Sequence, residues 1–124
     1  MDLLPRIPSD RQFVNAYGDG GFRISGRHWM QPVLVFPACT LAWEVRGFSD
    51  MSLESLLPVF DAEPAVELLL VGCGTSIAYL PKDLRGAIRE RGVVMEPLDT
   101  GAACRTYNLL MGEGRRVAAA LIPV

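Results

Sequence analysis

Residues 93–122 read VVMEPLDTGAACRTYNLLMGEGRRVAAALI, and the order of patterns within them decides the fold. An apolar run that ends at Leu98 is typical of a strand, and the helix that follows is predicted from Asp99 to Met111. A second apolar run, Val117 to Ile122, predicts another strand. The stretch therefore indicates strand, helix, strand, with several polar side chains gathered at the start of the helix.

The residues before this stretch repeat the same order. Val66 to Val71 is an apolar run of the length of a buried strand, and helical spacing predicts a helix from Asp83 to Arg91. Gly92 follows this helix at the position where a C-cap glycine is common. Because strands that alternate with helices favour a parallel sheet with right-handed crossovers, we expect a βαβαβ unit in the C-terminal half.

The N-terminal half predicts antiparallel strands joined by tight turns. The pair Asp19-Gly20 lies between two strand-like runs and is typical of a two-residue hairpin turn, and Ser25-Gly26 predicts a second turn. His28 and Trp29 are expected at a strand end or in a turn. This half should therefore add hairpins as an extra layer or edge.

Two more strands and a short helix complete the expected fold. The strands are predicted at Val33 to Phe36 and Leu41 to Val45, and Leu41, Trp43 and Val45 should share one face of the second. A helix beginning at the N-cap Ser52 should end or distort at Pro58. We therefore predict a single α/β domain over residues 1–124, with three layers, a mixed central sheet and a lead-in segment at residues 1–11.

Composition excludes several classes of function. The 124 residues carry a net charge of −2, which gives no electrostatic reason to expect nucleic acid as a partner. Eleven of the twelve basic residues are Arg, so either genome composition or recognition of carboxylates and other anions could explain the bias. No run is long enough to span a bilayer and no signal peptide is recognised, so we expect a soluble protein without membrane insertion.

The three cysteines, Cys39, Cys73 and Cys104, have no metal-ligand or redox-motif spacing. Their odd number and wide separation indicate reduced thiols in a cytoplasmic protein. His28 is the only histidine, so we expect no metal site and no cofactor. Cys104 lies in the first turns of a helix, but without an identifiable partner base we expect a buried thiol and no catalytic residue.

A candidate binding site follows from the expected parallel sheet, because loops after neighbouring strands meet at its carboxyl end. The loop after the Val66 strand and the start of the last helix should form a crevice there. Asn108 shares a helix face with Arg105, and Asp19 could contribute from the hairpin turn, where backbone amides can bind an anion. The candidate residues for a ligand or partner are Gly72, Gly74, Thr75, Ser76, Asp99, Thr100, Arg105, Asn108 and Asp19.

Structural explanations remain open for the same residues. Gly72-Cys73-Gly74 lacks both the full dinucleotide-binding glycine pattern and the lysine of a phosphate-binding loop. Asp99 or Thr100 can serve simply as the N-cap of the helix. Arg105 can form a surface ion pair with Asp99 or Glu96. Asp19 can be no more than a turn residue.

Five parts of the chain form a recognisable set: YGDGGFRI at 17–24, ELLLVGCG at 67–74, Leu80-Pro81 with Leu84-Arg85, DTGAACRTYN at 99–108 and EGRRVAAAL at 113–121. Together they resemble a small α/β family that includes mitochondrial complex I assembly factor 3. The resemblance covers the chain from about Phe13 onward, and DTGAACRTYN is its most specific part. It implies a three-layer domain with a mixed central sheet and no established enzymatic activity.

For the mitochondrial member, the family implies a role in building a respiratory complex together with a partner assembly factor. We therefore expect a non-catalytic interaction or assembly protein with a protein partner, related to the bacterial members of the family; a homo-oligomer is also compatible with the sequence. The alternative is a small-molecule or anion-binding domain, or an enzyme, that uses the crevice between Gly72–Ser76 and Asp99–Arg105. A third hypothesis is thiol chemistry at Cys104.

Overall fold

The chain forms two β-sheets and three α-helices in the computed structural model, which describes residues 10–124. Residues 1–9, most of the predicted lead-in segment, lie outside the described residues. The helices are α1 (Leu57–Phe60), α2 (Lys82–Glu90) and α3 (Thr100–Gly112). The strands are β1 (Val14–Gly18), β2 (Gly21–Ile24), β3 (Arg27–Trp29), β4 (Val33–Val35), β5 (Thr40–Ala42), β6 (Leu68–Gly72), β7 (Val94–Leu98) and β8 (Val117–Leu121).

The larger sheet is mixed, as the sequence predicts. Its strand order is β5-β4-β8-β6-β7, and β6 pairs in parallel with both β7 and β8. Strand β4 runs antiparallel to β8 and to β5. The strands β6, β7 and β8 therefore form the expected βαβαβ unit, and the N-terminal strands β4 and β5 extend it on one side.

Both faces of this sheet are covered by other elements. Successive residues of its central strands point to opposite faces, so neighbouring residues belong to different core clusters. Leu69 and Val71 of β6 belong to a core cluster that also contains Ile88 of α2. Leu70, between them, belongs to a second cluster that contains Tyr107 of α3. The two helices thus pack on opposite faces of the sheet.

The smaller sheet, with strand order β1-β2-β3, is antiparallel and lies on the α3 side. Its two turns have the positive φ angles that two-residue hairpins need, +54° at Asp19 and +80° at Gly20 in the first of them. Phe22 and Ile24 are buried in the same cluster as Tyr107. The larger sheet with a helix on each face gives the predicted three-layer α/β architecture, and the hairpins form the predicted extra layer on α3.

The predicted second strand of the β4–β5 pair is too long. Strand β5 ends at Ala42, and Leu41 is 40% exposed whereas Trp43 is buried. The prediction that Leu41, Trp43 and Val45 share one strand face is therefore wrong. The physical reason is that β5 is an edge strand and the chain leaves the sheet after Ala42, where alternation no longer applies.

The short helical region also differs from prediction. A 3₁₀ turn at Glu54–Leu56 leads into α1, and Pro58 lies in the first turn of that helix instead of ending it. A proline is tolerated there because the first turn has no intrahelical use for its missing N–H. Ser52 and Ser55 accept each other's backbone N–H groups, which fixes the start of the region.

Strand β7 begins at Val94 and α3 extends through Gly112, so the predicted boundaries of both elements are close to those observed. Gly92 has a φ of +82°, as a C-cap glycine requires. Within residues 10–124, no helix combines the length and the apolar character needed to cross a lipid bilayer.

The crossing of β6 by α3 generates a prediction for two glycines. A Cβ at Gly72 would lie 3.0 Å from the Cα of Thr100 and 3.0 Å from Leu121 Cδ2, so Gly72→Ala should lower the free energy of unfolding by about 1–3 kcal/mol. Gly86 in α2 is the matched control, because an added Cβ meets no atom within 4 Å. Gly86→Ala should raise the free energy of unfolding by about 1 kcal/mol.

Urea unfolding of both variants, with the slope compared to confirm the same transition, measures these changes. Equal stability of Gly72→Ala and the unsubstituted chain would contradict the close packing of α3 against β6.

Candidate functional site

The predicted crevice corresponds to the carboxyl end of the sheet, where β6, β7 and β8 finish. Backbone hydrogen bonds join the segments that follow these three strands. Cys73 N–H donates to Leu98 O at 2.8 Å, and Thr100 N–H donates to Gly74 O at 2.8 Å. Ile122 N–H donates to Gly72 O at 3.0 Å. The structure therefore brings Gly72, Gly74 and Thr100 together, as the sequence predicts.

Thr100 occupies the centre of this junction and is completely buried. Its hydroxyl donates to Ile122 O at 2.7 Å and accepts the N–H of Gly74 at 3.0 Å. One side chain thus links the segments after β6 and β8 to the start of α3. The Thr100 hydroxyl therefore makes both of its hydrogen bonds within the protein and none is left for a ligand.

Asp99 is the N-cap of α3. Its Oδ1 accepts the N–H of Ala102 at 2.9 Å, and its backbone is extended, as an N-cap requires. The structural explanation offered for Asp99 in the sequence is therefore confirmed. Because Ala102 N–H already has this partner, the first turn of α3 has one fewer free donor for an anion.

Arg105 contacts the N-terminal hairpin instead of a carboxylate. Its Nη1 donates to the hydroxyl of Tyr17 at 2.5 Å, and the only ion pair found within residues 10–124 joins Arg116 to Glu67. The prediction that Arg105 forms a surface ion pair with Asp99 or Glu96 is therefore wrong. The physical reason is that β1 crosses α3 and brings the Tyr17 ring close to Gly101, where an added Cβ would lie 2.8 Å from the phenol oxygen.

Asn108 makes a two-point contact with β1. Its Oδ1 accepts the N–H of Val14 and its Nδ2 donates to Val14 O, both at 2.9 Å. The adjacent residue, Tyr107, is buried, and its hydroxyl donates to Gln12 O at 2.9 Å. The N-terminal segment therefore contacts the face of α3 that carries Arg105 and Asn108, and Arg105 itself stays exposed.

The remaining candidates are exposed at the same end of the sheet. Gly20 N–H donates to Val124 O at 2.8 Å, which places the hairpin turn and Asp19 beside the segment that follows β8. Thr75 and Ser76 are exposed in the loop after β6. These residues can be contacted from solution without rearrangement of the fold.

Sequence reasoning missed two exposed apolar residues in the loop that contains Ser76. Tyr79 is 82% exposed and Ile77 is 51% exposed. It also missed Tyr17 as the partner of Arg105. A signal for that contact was present in the sequence, because Gly101 lies in the first turn of a predicted helix, where the absence of a Cβ permits close approach of another residue.

Three free thiols differ in their surroundings. Burial raises the pKa of the Cys104 thiol to about 12, against the smaller lowering effect of the Arg105 charge. Burial also raises the pKa of Cys73, whereas Cys39 is exposed. In the part of the chain that the structure describes, no group of three or more His, Cys, Asp or Glu side chains is placed to hold a metal ion.

Comparison with known proteins identifies relatives across nearly the whole chain. A family described as a protein of unknown function (DUF498/DUF598) matches residues 14–122. The NADH dehydrogenase [ubiquinone] 1 alpha subcomplex assembly factor 3 of Xenopus tropicalis is 38% identical over 97% of this chain. An uncharacterized protein of Rhodobacter capsulatus is 40% identical over 90% of this chain and 84% of its own length.

The chain spans 66% of the length of the Xenopus protein. Among solved structures, a Mth938-like domain protein of Bordetella pertussis superposes with a TM-score of 0.83 and is 29% identical. That superposition covers 99% of this chain and 92% of the other. The similarity therefore extends over both the fold and the sequence of the domain.

The contact between Asn108 and β1 gives a stability prediction. Asn108→Ala leaves the N–H and the carbonyl of Val14 without their side-chain partner, and should lower the free energy of unfolding by about 2 kcal/mol. The control is its neighbour Leu109, which is 64% exposed. Leu109→Ala should change stability by no more than about 0.5 kcal/mol in urea unfolding. Similar losses in the two variants would contradict a specific role for the amide.

The thiols give a reactivity prediction. In the folded protein at pH 8, iodoacetamide should modify Cys39 first and Cys104 only after unfolding, since about one part in ten thousand of a thiol with a pKa near 12 is ionised. Mass spectrometry of peptides from timed samples measures each rate. Modification of Cys104 in the folded chain at the rate of Cys39 would instead indicate an activated thiol.

Proposed function

Since this chain belongs to the DUF498/DUF598 family, we propose that it is a non-catalytic interaction protein that assists the assembly of a respiratory complex. The observation that carries the proposal is the 38% identity, over 97% of this chain, to a protein named as an NADH dehydrogenase assembly factor. The chain spans two thirds of that relative, so the proposal concerns the part that the two proteins share.

The hydrogen bonds of the candidate site support this proposal. Thr100, Tyr107 and Asn108 all direct their polar atoms to backbone groups of the same chain. These contacts hold the two sheets on α3 in a fixed arrangement. A rigid surface of this kind loses little conformational entropy when a partner binds, which favours recognition.

We propose that the partner binds at the carboxyl-end surface, formed by Asp19, Thr75, Ser76, Ile77, Tyr79 and Arg105. Tyr79 and Ile77 expose apolar area of the kind that anchors protein interfaces. Polar and charged residues at the same end can provide the rim. We expect the protein to act in the cytoplasm, with a protein subunit or another assembly factor as partner and without nucleic acid.

The alternative of a small-molecule or anion site in the crevice has less support. The N–H groups of Gly74 and Ala102 already donate to Thr100 Oγ1 and Asp99 Oδ1. Gly72 faces Thr100 at a distance that leaves no room for a methyl group. Gly72, Gly74, Asp99 and Thr100 therefore contact one another or neighbouring backbone, which leaves fewer of the proposed groups for a ligand.

An affinity experiment in the source cells tests the proposed function. The tagged full-length chain should recover subunits or assembly proteins of NADH dehydrogenase, measured by quantitative mass spectrometry. Removing the two apolar anchors in Ile77→Ala/Tyr79→Ala should reduce that recovery at least tenfold, because interface anchors each contribute about 2 kcal/mol or more and the loss of both should weaken affinity by a factor of about 1,000.

The matched control is Leu109→Ala, which removes an exposed apolar side chain from the outer face of α3. It should leave recovery unchanged. Equal recovery with the double variant would contradict the proposed surface. Absence of any respiratory-complex protein from the unsubstituted sample would contradict the assembly role itself.

A further inference from the structure

A cavity of about 420 Å³ opens at the end of the sheet opposite the carboxyl-end surface. Its walls come from the turn between β4 and β5, the segment between α1 and β6, and the turn before β8. Asp10 and Arg11 contribute from the start of the described chain. Its volume lies in the range of small-molecule sites, about 300–1,000 Å³.

The cavity wall is apolar over much of its extent. Phe36 and Val66 are buried in the core behind it, and Leu41 and Pro58 line it with exposed side chains. Leu41 is the residue of edge strand β5 that was predicted to share a face with Trp43. An apolar group that entered the cavity would cover this side chain and gain the free energy of burial.

Cations line the same cavity. Arg11, Arg115 and Arg116 all contribute to its wall. Arg116 is paired with Glu67, whereas no carboxylate within residues 10–124 forms an ion pair with Arg11 or Arg115. Guanidinium groups bind carboxylates through two parallel hydrogen bonds, so these two arginines are suited to a carboxylate ligand.

The carboxylates of the wall restrict the charge of such a ligand. Asp10 and Glu63 line the cavity together with the arginines. Their negative charges oppose a doubly charged phosphate more strongly than a singly charged carboxylate. The cavity therefore favours a ligand with an apolar body and a single negative charge. The apolar walls would cover the body, the two arginines would bind the charge, and the two carboxylates would oppose a second negative charge.

We propose that this cavity binds a small amphipathic carboxylate, with its apolar chain or ring against Leu41, Phe36 and Pro58 and its carboxylate on Arg115 and Arg11. The cavity lies at the opposite end of the sheet from the carboxyl-end surface. The site therefore does not depend on the assembly role, and either inference can fail without the other.

Cys39 provides a direct readout, because this exposed free thiol also lines the cavity. The probe is decanoate at submillimolar concentration, added to the full-length chain. Occupation of the cavity should slow alkylation of Cys39 by iodoacetamide, and titration of the rate yields a dissociation constant. Acetate supplies the charge without the chain, and decanol supplies the chain without the charge, so neither should protect at the same concentration.

Arg115→Gln removes a guanidinium group from the cavity wall and should weaken decanoate binding about tenfold, as expected for loss of a charge-assisted hydrogen bond. The matched control is Arg85→Gln, which changes an exposed arginine of α2 far from the cavity lining and should leave binding unchanged. Since Arg115 is exposed, both variants should unfold at the temperature of the unsubstituted protein.

The proposal requires protection by decanoate that depends on Arg115. Absence of protection, equal protection by decanol, or equal protection by acetate would each overturn it. Equal binding by the two arginine variants would overturn it as well. If Arg115→Gln failed to fold, Leu41→Ala would replace it in the experiment. Unchanged affinity of Leu41→Ala for decanoate would then overturn the proposal.

Discussion

The burial of α3 between two sheets is the constraint on which the rest of the structure depends. One side of the helix packs on β6 and β8, and the other packs on β1. Its buried residues include Cys104, Tyr107 and Met111, which share a core cluster with residues of both sheets. A helix enclosed in this way must satisfy every polar group on its covered faces. Asn108 and Tyr107 do so through backbone groups of the N-terminal segment.

This constraint explains why several polar residues at the expected binding edge contact one another. Ligands of open α/β sheets usually bind outside the carboxyl ends of the strands, where the strand order reverses. That position lies between the adjacent strands β6 and β7, because β6 leads to α2 on one face of the sheet and β7 leads to α3 on the other. The hydroxyl of Thr100 fills the corresponding place and bonds to Ile122 O and Gly74 N–H. Asp99, Thr100, Tyr107 and Asn108 therefore use their polar side-chain atoms in contacts that hold the layers together.

Local patterns predicted most of the secondary structure but few of the contacts between elements. The N-cap Asp99, the hairpin turn at Asp19 and the C-cap Gly92 each depend on a few adjacent residues, and all three have the predicted conformation. By contrast, Asn108 and Val14 are 94 positions apart, and nothing in either local sequence identifies the other. The prediction that Leu41 shares a strand face with Trp43 is wrong because an alternating pattern does not distinguish an edge strand from a central one. Burial there depends on where the chain leaves the sheet.

The two ends of the sheet differ because different parts of the chain close them. At the carboxyl end, α3 begins directly after β7, so its first residues reach the strand ends and fill the space between them. At the opposite end, the segments from Asp61 to Glu67 and from Glu113 to Arg116 approach β6 and β8 from outside the helices. Val66 of the first segment packs into the core, but neither segment fills the space outside the strand ends, and the cavity with its arginines lies between them. One end of the sheet is therefore filled by the start of α3, whereas the other end keeps a cavity of about 420 Å³.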